Sequence, residues 1–206
     1  MTSETDFGGL CIRYDARVLT PRAWTVLQAR WAVEISDDLP AGPILELFAG
    51  AGQIGLLAAL GSGRPLIAVD VDPVACDFAR ANAEAAGLAG LVEVREGDLG
   101  EALAPGELFG LIIADPPYLP TASVRSWPED PPLAIDGGAD GLGPARRCLK
   151  IAAGHLAPGG ALLLQLANDA QADLVADIPP WRERHRRSTR HGVVSLLKGA
   201  EPPIGG

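Results

Sequence analysis

The sequence is poor in the residues that staple, ligate or anchor a chain. Only 3 of its 206 residues are cysteine, namely Cys11, Cys76 and Cys148, far apart and without any Cys-x-x-Cys spacing. An odd, scattered set excludes a disulfide framework and a cysteine-based zinc site, so reduced thiols are expected. Histidine is equally scarce, and His155, His185 and His191 show no ligand spacing, so no metal is expected. No apolar run approaches the length of a membrane span, and the first nine residues have neither a basic start nor an apolar core. A cytoplasmic protein without a membrane partner is the expectation. Positive charge is also in deficit: the net charge of −9 argues against a general polyanion binder, although an uneven distribution still permits a specific nucleic-acid substrate. What the chain does have is 48% hydrophobic residues, 25 glycines and 18 prolines. That is enough apolar material for one core and ample punctuation for short elements.

Read in order, residues 10 to 20 alternate loosely. Thr20-Pro21 has the look of a helix N-cap, and Trp24, Leu27, Gln28, Trp31 and Ile35 keep helical spacing to about residue 36, with both tryptophans read as core. From Pro43 the pattern repeats as strand, loop, helix. Strands are expected at Ile44–Phe48, Leu66–Val69, Leu91–Val94, Phe109–Ala114 and Ala161–Leu166, and helices at Gln53–Leu60, Asp72–Ala86 and Gly143–Leu156. Short connections between such units imply parallel strands joined by right-handed crossovers, hence an α/β, doubly wound, three-layer sheet in the order 3-2-1-4-5. Trp181 to Leu197 reads as a final antiparallel hairpin turning near Arg190-His-Gly192. One connection, Leu119 to Gly143, is far longer than the rest and rich in proline and glycine; such a loop is functional or a self-packed surface loop.

Three places carry chemistry. Gly50-Ala-Gly-Gln-Ile-Gly55 lies between a strand and a helix, and Asp70 closes the next strand 20 residues after Gly50. Glycine lets the backbone turn tightly against a ligand, and an acid at the second strand end can accept both hydroxyl protons of a ribose. The pattern alone does not separate nicotinamide dinucleotides from S-adenosylmethionine. Glu46 tilts the balance, because a carboxylate beside the turn repels a pyrophosphate but suits an ammonium and a sulfonium group. Asp98 ends the third strand, where it would either receive an adenine amino group or cap the residues that follow. The most specific signal is Asp115-Pro116-Pro117-Tyr118 at the end of an apolar strand. Prolines cannot continue a sheet, so Asp115 stands at a carboxyl end, where open α/β sheets bind ligands. Amide and aromatic amino nitrogens are poor nucleophiles. If Asp115 and the Pro116 carbonyl each accept one N–H, the lone pair can turn toward a donor methyl, while Pro117 stiffens the turn and Tyr118 packs on the planar group.

On these residues the chain resembles the class I S-adenosylmethionine-dependent methyltransferases. Arg17-Val-Leu-Thr-Pro-Arg22 and Leu133-Ala-Ile-Asp-Gly-Gly-Ala-Asp-Gly-Leu142 resemble, within that class, the HemK/PrmC-type protein-glutamine methyltransferases. The resemblance covers about residues 10 to 197. It implies a Rossmann-like fold with a mostly parallel seven-stranded sheet and a C-terminal antiparallel hairpin. Residues 1–40 would be a strand and helix segment packed on a methyltransferase domain of residues 41–206, the whole forming one structural domain. It further implies S-adenosylmethionine held by Glu46, Phe48, Gly50, Gly52, Asp70 and Asp98, and an acceptor held at Asp115, Pro116, Pro117 and Tyr118. The acceptor implied is a glutamine-containing protein.

Three departures bear on that acceptor. The family normally has Asn-Pro-Pro-Tyr, whereas Asp115 also suits enzymes that methylate exocyclic amines of bases. Phe48 resembles the ribosomal-RNA guanine methyltransferases of the RsmD type. The chain also begins almost directly at the catalytic fold, so the N-terminal release-factor-binding domain of the bacterial enzymes is expected to be absent. A structured RNA or DNA acceptor therefore stays open, as do a nicotinamide-binding oxidoreductase or an inactive nucleotide-binding module, an activating partner protein, and the oligomeric state. The basic tail Arg182–Arg190, with five arginines, could meet phosphate, meet an acidic protein, or protect an edge strand.

Overall fold

The computed structural model describes residues 1–176 and 178–199. A two-stranded antiparallel hairpin, β1 (Ser3–Phe7) and β2 (Leu10–Tyr14), opens the chain. Then come α1 (Val26–Ile35), β3 (Ile44–Leu47), α2 (Gln53–Ser62), β4 (Leu66–Asp70), α3 (Pro73–Ala85), β5 (Val92–Glu96) and β6 (Phe109–Ala114). The long connection carries two single-turn helices, α4 (Thr121–Val124) and α5 (Pro132–Ile135). It leads to α6 (Gly143–His155), β7 (Leu156–Leu166), α7 (Asp169–Ala176), β8 (Trp181–Thr189) and β9 (Gly192–Gly199).

Seven strands form one sheet in the order β5-β4-β3-β6-β7-β9-β8. The first five are parallel, while β9 runs antiparallel to β7 and β8 antiparallel to β9. This is the doubly wound order expected, with the antiparallel hairpin at one edge. Successive side chains of a strand face opposite ways, so each strand feeds two cores. Leu111 and Ile113 pack with Ile44, Trp31 and Ile54 under α1, α2 and α3. Ile112 and Ala114 pack with Leu45, Leu47, Leu149 and Trp181 under α6 and α7. Burial on both faces explains why the central strands read as continuous apolar runs rather than alternating ones.

Two local features differ from the sequence-based expectation. The first helix begins at Val26 rather than at Pro21, because residues Ala23–Thr25 form a tighter 3₁₀ turn in which the Thr25 hydroxyl donates to the Arg22 carbonyl at 2.9 Å. Residues 3–7 are a strand that loose alternation did not announce. Gly8 and Gly9, at φ +65° and +103°, supply the two-residue reversal between β1 and β2. Phe7, Leu10 and Ile12 of this hairpin are buried against the α2–α3 side. One buried residue pins it there: Asn82 of α3 accepts from the Arg13 amide at 2.8 Å, donates to the Arg13 carbonyl at 3.0 Å and donates to the Ala51 carbonyl at 2.9 Å.

Among the described residues, no helix is long and apolar enough to cross a membrane. The C-terminal hairpin is fastened by Trp181, which is fully buried and whose indole N–H donates to the Leu149 carbonyl at 3.2 Å. Trp181→Ala is expected to lower the unfolding free energy by about 3–5 kcal/mol, since it empties an aromatic-sized volume and removes the indole hydrogen bond. Urea denaturation followed by far-UV circular dichroism measures it, and a change below about 1 kcal/mol would show that the edge hairpin folds apart from the core.

Candidate active site

The site is created by register. Val69 of β4, Leu47 of β3 and Ala114 of β6 are lateral neighbours in the sheet, so the next residues, Asp70, Phe48 and Asp115, stand at one level of its carboxyl edge. After β3 the chain must reverse within a few residues to enter α2. Phe48 (φ +61°), Gly50 (+56°) and Gly52 (+83°) all take left-handed conformations to do so. Glycine adopts these freely, but for phenylalanine the conformation costs roughly 1–2 kcal/mol. Strain of this kind persists where surrounding structure enforces it, and it clusters at functional sites.

Asp70 braces the turn from the side. One of its oxygens accepts from the Gly50 amide at 2.7 Å and the other from the Asp72 amide at 2.9 Å. Burial raises its pKa above the usual carboxylate value, and these backbone donors partly offset that rise. Asp72, expected as the cap of the next helix, accepts from the Val74 amide at 2.8 Å with Pro73 in the first turn.

Two adjoining crevices open over this edge. The first, about 700 Å³, is lined by Arg17, Phe48, Gly50, Gln53, Asp70 and Val71 among others. The second, about 890 Å³, is lined by Trp24, Pro116, Tyr118, Trp127, Asp130 and His191 among others. Leu19, Asp115, Pro117 and Ala134 line both, so among the described residues Asp115 is the one polar side chain common to the two. Its carboxyl is partly open to the crevices yet surrounded by protein, and this desolvation lifts its pKa to about 7. Among the described residues none donates a hydrogen bond to it. The Tyr118 phenol is likewise pushed above its ordinary value by burial.

The sequence-derived residues are therefore not all brought together. Phe48, Gly50, Asp70, Asp115, Pro116, Pro117 and Tyr118 line the crevices. Gly52 lies behind the turn, where a Cβ would meet Ala79 and Leu56 at 3.2 Å. Glu46 also lies behind it and lines neither crevice: one oxygen accepts from the Gly55 amide at 2.8 Å and the other is buried without a partner. Burial, helped by the neighbouring charges of Asp70 and Asp115, raises its pKa to about 8. Glu46 therefore stands beneath the glycine turn rather than on a crevice wall, and its burial disfavours the ionised form. Asp98 lines neither crevice either. It accepts from the Gly100 amide at 3.0 Å and pairs with Arg147, which holds its carboxyl below the ordinary range.

Other residues at the site were not singled out from sequence. Trp24, read as core, lines the second crevice and stacks on His191 with ring centroids 4.4 Å apart. Arg22 and Asp130 form an ion pair between the segment before α1 and the long loop. Helical spacing could not distinguish a crevice tryptophan from a packed one, because the helix starts only after Trp24.

The first crevice fits a nucleoside-bearing cation such as S-adenosylmethionine. The space over Gly50 is open, with only the Gln53 side-chain oxygen near, at 4.0 Å from where a Cβ would stand. That oxygen is buried and unpartnered. Val71, 54% exposed, supplies an apolar platform beside the Asp70 carboxyl.

The state of Glu46 has a measurable consequence. Between its ordinary pKa of 4.5 and about 8 the unfolded chain loses this proton while the folded chain keeps it, so Glu46 erodes stability as pH rises until it ionises in the folded state. Glu46→Gln, which preserves an acceptor for Gly55, is expected to gain stability relative to the wild type progressively from pH 5 to pH 8, as read by chemical denaturation at a series of pH values. A pH-independent difference would show that Glu46 is ionised in the fold.

Comparison with known proteins adds to this geometry. The family model described as RMKL-like, methyltransferase domain (UPF0020) matches residues 29–125. The chain is 38% identical over 184 residues to the release factor glutamine methyltransferase of Deinococcus radiodurans, covering 86% of this chain and 64% of that protein. It is 34% identical over 176 residues to the ribosomal protein uL3 glutamine methyltransferase of Bordetella pertussis, covering 82% of this chain and 59% of that protein. The chain thus spans about three-fifths of the length of these curated relatives. Its fold matches the N-terminal domain of human METTL16 in complex with SAH, with a TM-score of 0.66 at 17% identity over 92% of this chain and 75% of that one. Strand order, glycine turn and Asp-Pro-Pro-Tyr edge accord with these similarities: residues 29–125 match a methyltransferase domain, and more than four-fifths of the chain is similar to glutamine methyltransferases.

Proposed function

We propose that this chain transfers a methyl group from S-adenosylmethionine to the side-chain amide nitrogen of a protein glutamine. The carrying observation is that, among the described residues, Asp115 has no hydrogen-bond partner and is the only polar side chain lining both crevices. S-adenosylmethionine in the first crevice supplies an electrophilic methyl group. Residues Phe48, Gly50 and Asp70 would hold it there, with Glu46 and Gly52 supporting the turn from behind. The chain's own work is to orient the acceptor. Asp115 and the Pro116 carbonyl each accept one amide N–H, which turns the nitrogen lone pair toward the first crevice, and Tyr118 packs on the amide plane. The nitrogen gives up a proton to water on methylation, while Asp115 acts as a hydrogen-bond acceptor that orients the amide.

The names of the relatives support a protein acceptor, and so does the state of two of the five arginines of the basic hairpin. Arg186 is engaged by Glu183, Asp169 and Asp173, and Arg187 by Glu34 while it covers the Trp31 ring. Arginines held this way have little left for phosphate. The aromatic walls of the second crevice, Trp24 and Trp127, favour one rival, since a base could stack there.

Incubation with labelled S-adenosylmethionine and either a bacterial release factor, uL3 or total RNA, followed by mass spectrometry, separates the two. Methylglutamine is expected, and label confined to nucleobases would overturn the reading. Asp115→Ala is expected to lower turnover by about a hundredfold or more while S-adenosylhomocysteine binding stays within a few-fold. Because the ionised carboxylate is the working form, kcat/KM should rise with pH through about 7, whereas Asp115→Asn should retain activity with a flat profile over that range. A profile that is the same in both proteins would remove Asp115 from the chemistry.

A further inference from the structure

The reaction edge poses a problem of rigidity. Pro116 and Pro117 have no N–H, so half of the Asp115–Tyr118 stretch cannot be anchored through backbone donors. The carbonyls that flank it are anchored instead by two buried carboxamides. Gln28 of α1, with no exposed surface, donates from Nε2 to the Ala114 carbonyl at 2.9 Å and to the Leu163 carbonyl of β7 at 3.0 Å. Gln171 of α7 donates from Nε2 to the Tyr118 carbonyl at 3.1 Å and reaches the Gly141 carbonyl at 3.4 Å, while its Oε1 accepts from the Ala167 amide at 3.0 Å. The two helices lie on opposite faces of the sheet, so the stretch is gripped at its first peptide from one layer and at its last from the other.

Gln28 is the more telling of the pair. Its Oε1 is buried with no partner, a penalty that an apolar residue of the same size would avoid. A core position that keeps a half-satisfied carboxamide gains nothing from it in packing. Its two N–H bonds are what the position has to show, and one of them ends on the peptide that carries Asp115.

Resting on the methyl-transfer reading above, we propose that Gln28 and Gln171 are positioning residues, a bracket that sets the direction of the Asp115 carboxylate and of the Pro116 carbonyl. Neither side chain touches the acceptor. Both act on the geometry of the groups that do, and a displacement of about 1 Å there is enough to slow a transfer about a hundredfold.

Gln28→Met keeps the volume and deletes both donors together with the unpartnered oxygen. The expected result is a kcat for protein methylation lower by about 10- to 100-fold, with acceptor KM and S-adenosylhomocysteine affinity within about twofold and a Tm equal to or above the wild type. Backbone hydrogen exchange across residues 111–120, read by mass spectrometry on the protein without ligand, should quicken in the same variant. Gln171→Met should lower kcat in the same direction, with a lower Tm because the Ala167 amide loses its acceptor. An unchanged kcat in Gln28→Met overturns the bracket, as does a fall in kcat accompanied by lost S-adenosylhomocysteine binding and a lower Tm, which would mark a purely structural residue. If the wild type methylates no acceptor, the reading of function fails by itself. The exchange measurement still decides the bracket, and unaltered exchange in Gln28→Met overturns it.

Discussion

Everything at this site follows from the register of three parallel strands. Because Val69, Leu47 and Ala114 stand side by side, Asp70, the glycine turn and Asp115 come together at one edge without any long-range adjustment. A shift of one residue in β6 would turn Ile113 and Ala114 to the wrong faces and carry Asp115 off that level. Packing of two apolar cores against one sheet therefore enforces the chemistry as a by-product of enforcing the fold.

The same register crowds carboxyl groups. Glu46, Asp70 and Asp115 all have pKa values raised by burial, and the charges of Asp70 and Asp115 raise that of Glu46 further. Such a cluster is unfavourable in isolation. A positively charged ligand placed against it would relieve that repulsion.

Strand order, the glycine turn, Asp70 and Asp115 were legible because their signals are local: a period, a turn chemistry, a strand end. Less legible were features decided by what lies across space. Glu46 reads as a strand-end acid, yet α2 folds over it, and no sequence pattern states how deep a carboxyl will sit. Trp24 fits a helical stripe until the 3₁₀ turn moves the helix start to Val26 and leaves the ring facing a crevice. The arginine-rich tail leaves phosphate, an acidic protein and edge protection open as readings, and sequence does not announce that Arg186 pairs with Asp169 and Asp173 or Arg187 with Glu34. Gly8-Gly9 is a hairpin signal, but the weak alternation on either side of it does not announce strands. Phe48 shows the converse: its identity was legible, but its left-handed conformation was not.

Asn82 joins the first hairpin to the glycine turn through a single side chain, bonded to Arg13 on one side and to the Ala51 carbonyl on the other. Mechanically this is a tie rod between the outermost layer of the molecule and the peptide between Gly50 and Gly52. Whatever tugs on β2, be it a bound neighbour or a covalently continuous segment, is felt at the donor turn before it is felt anywhere in the sheet.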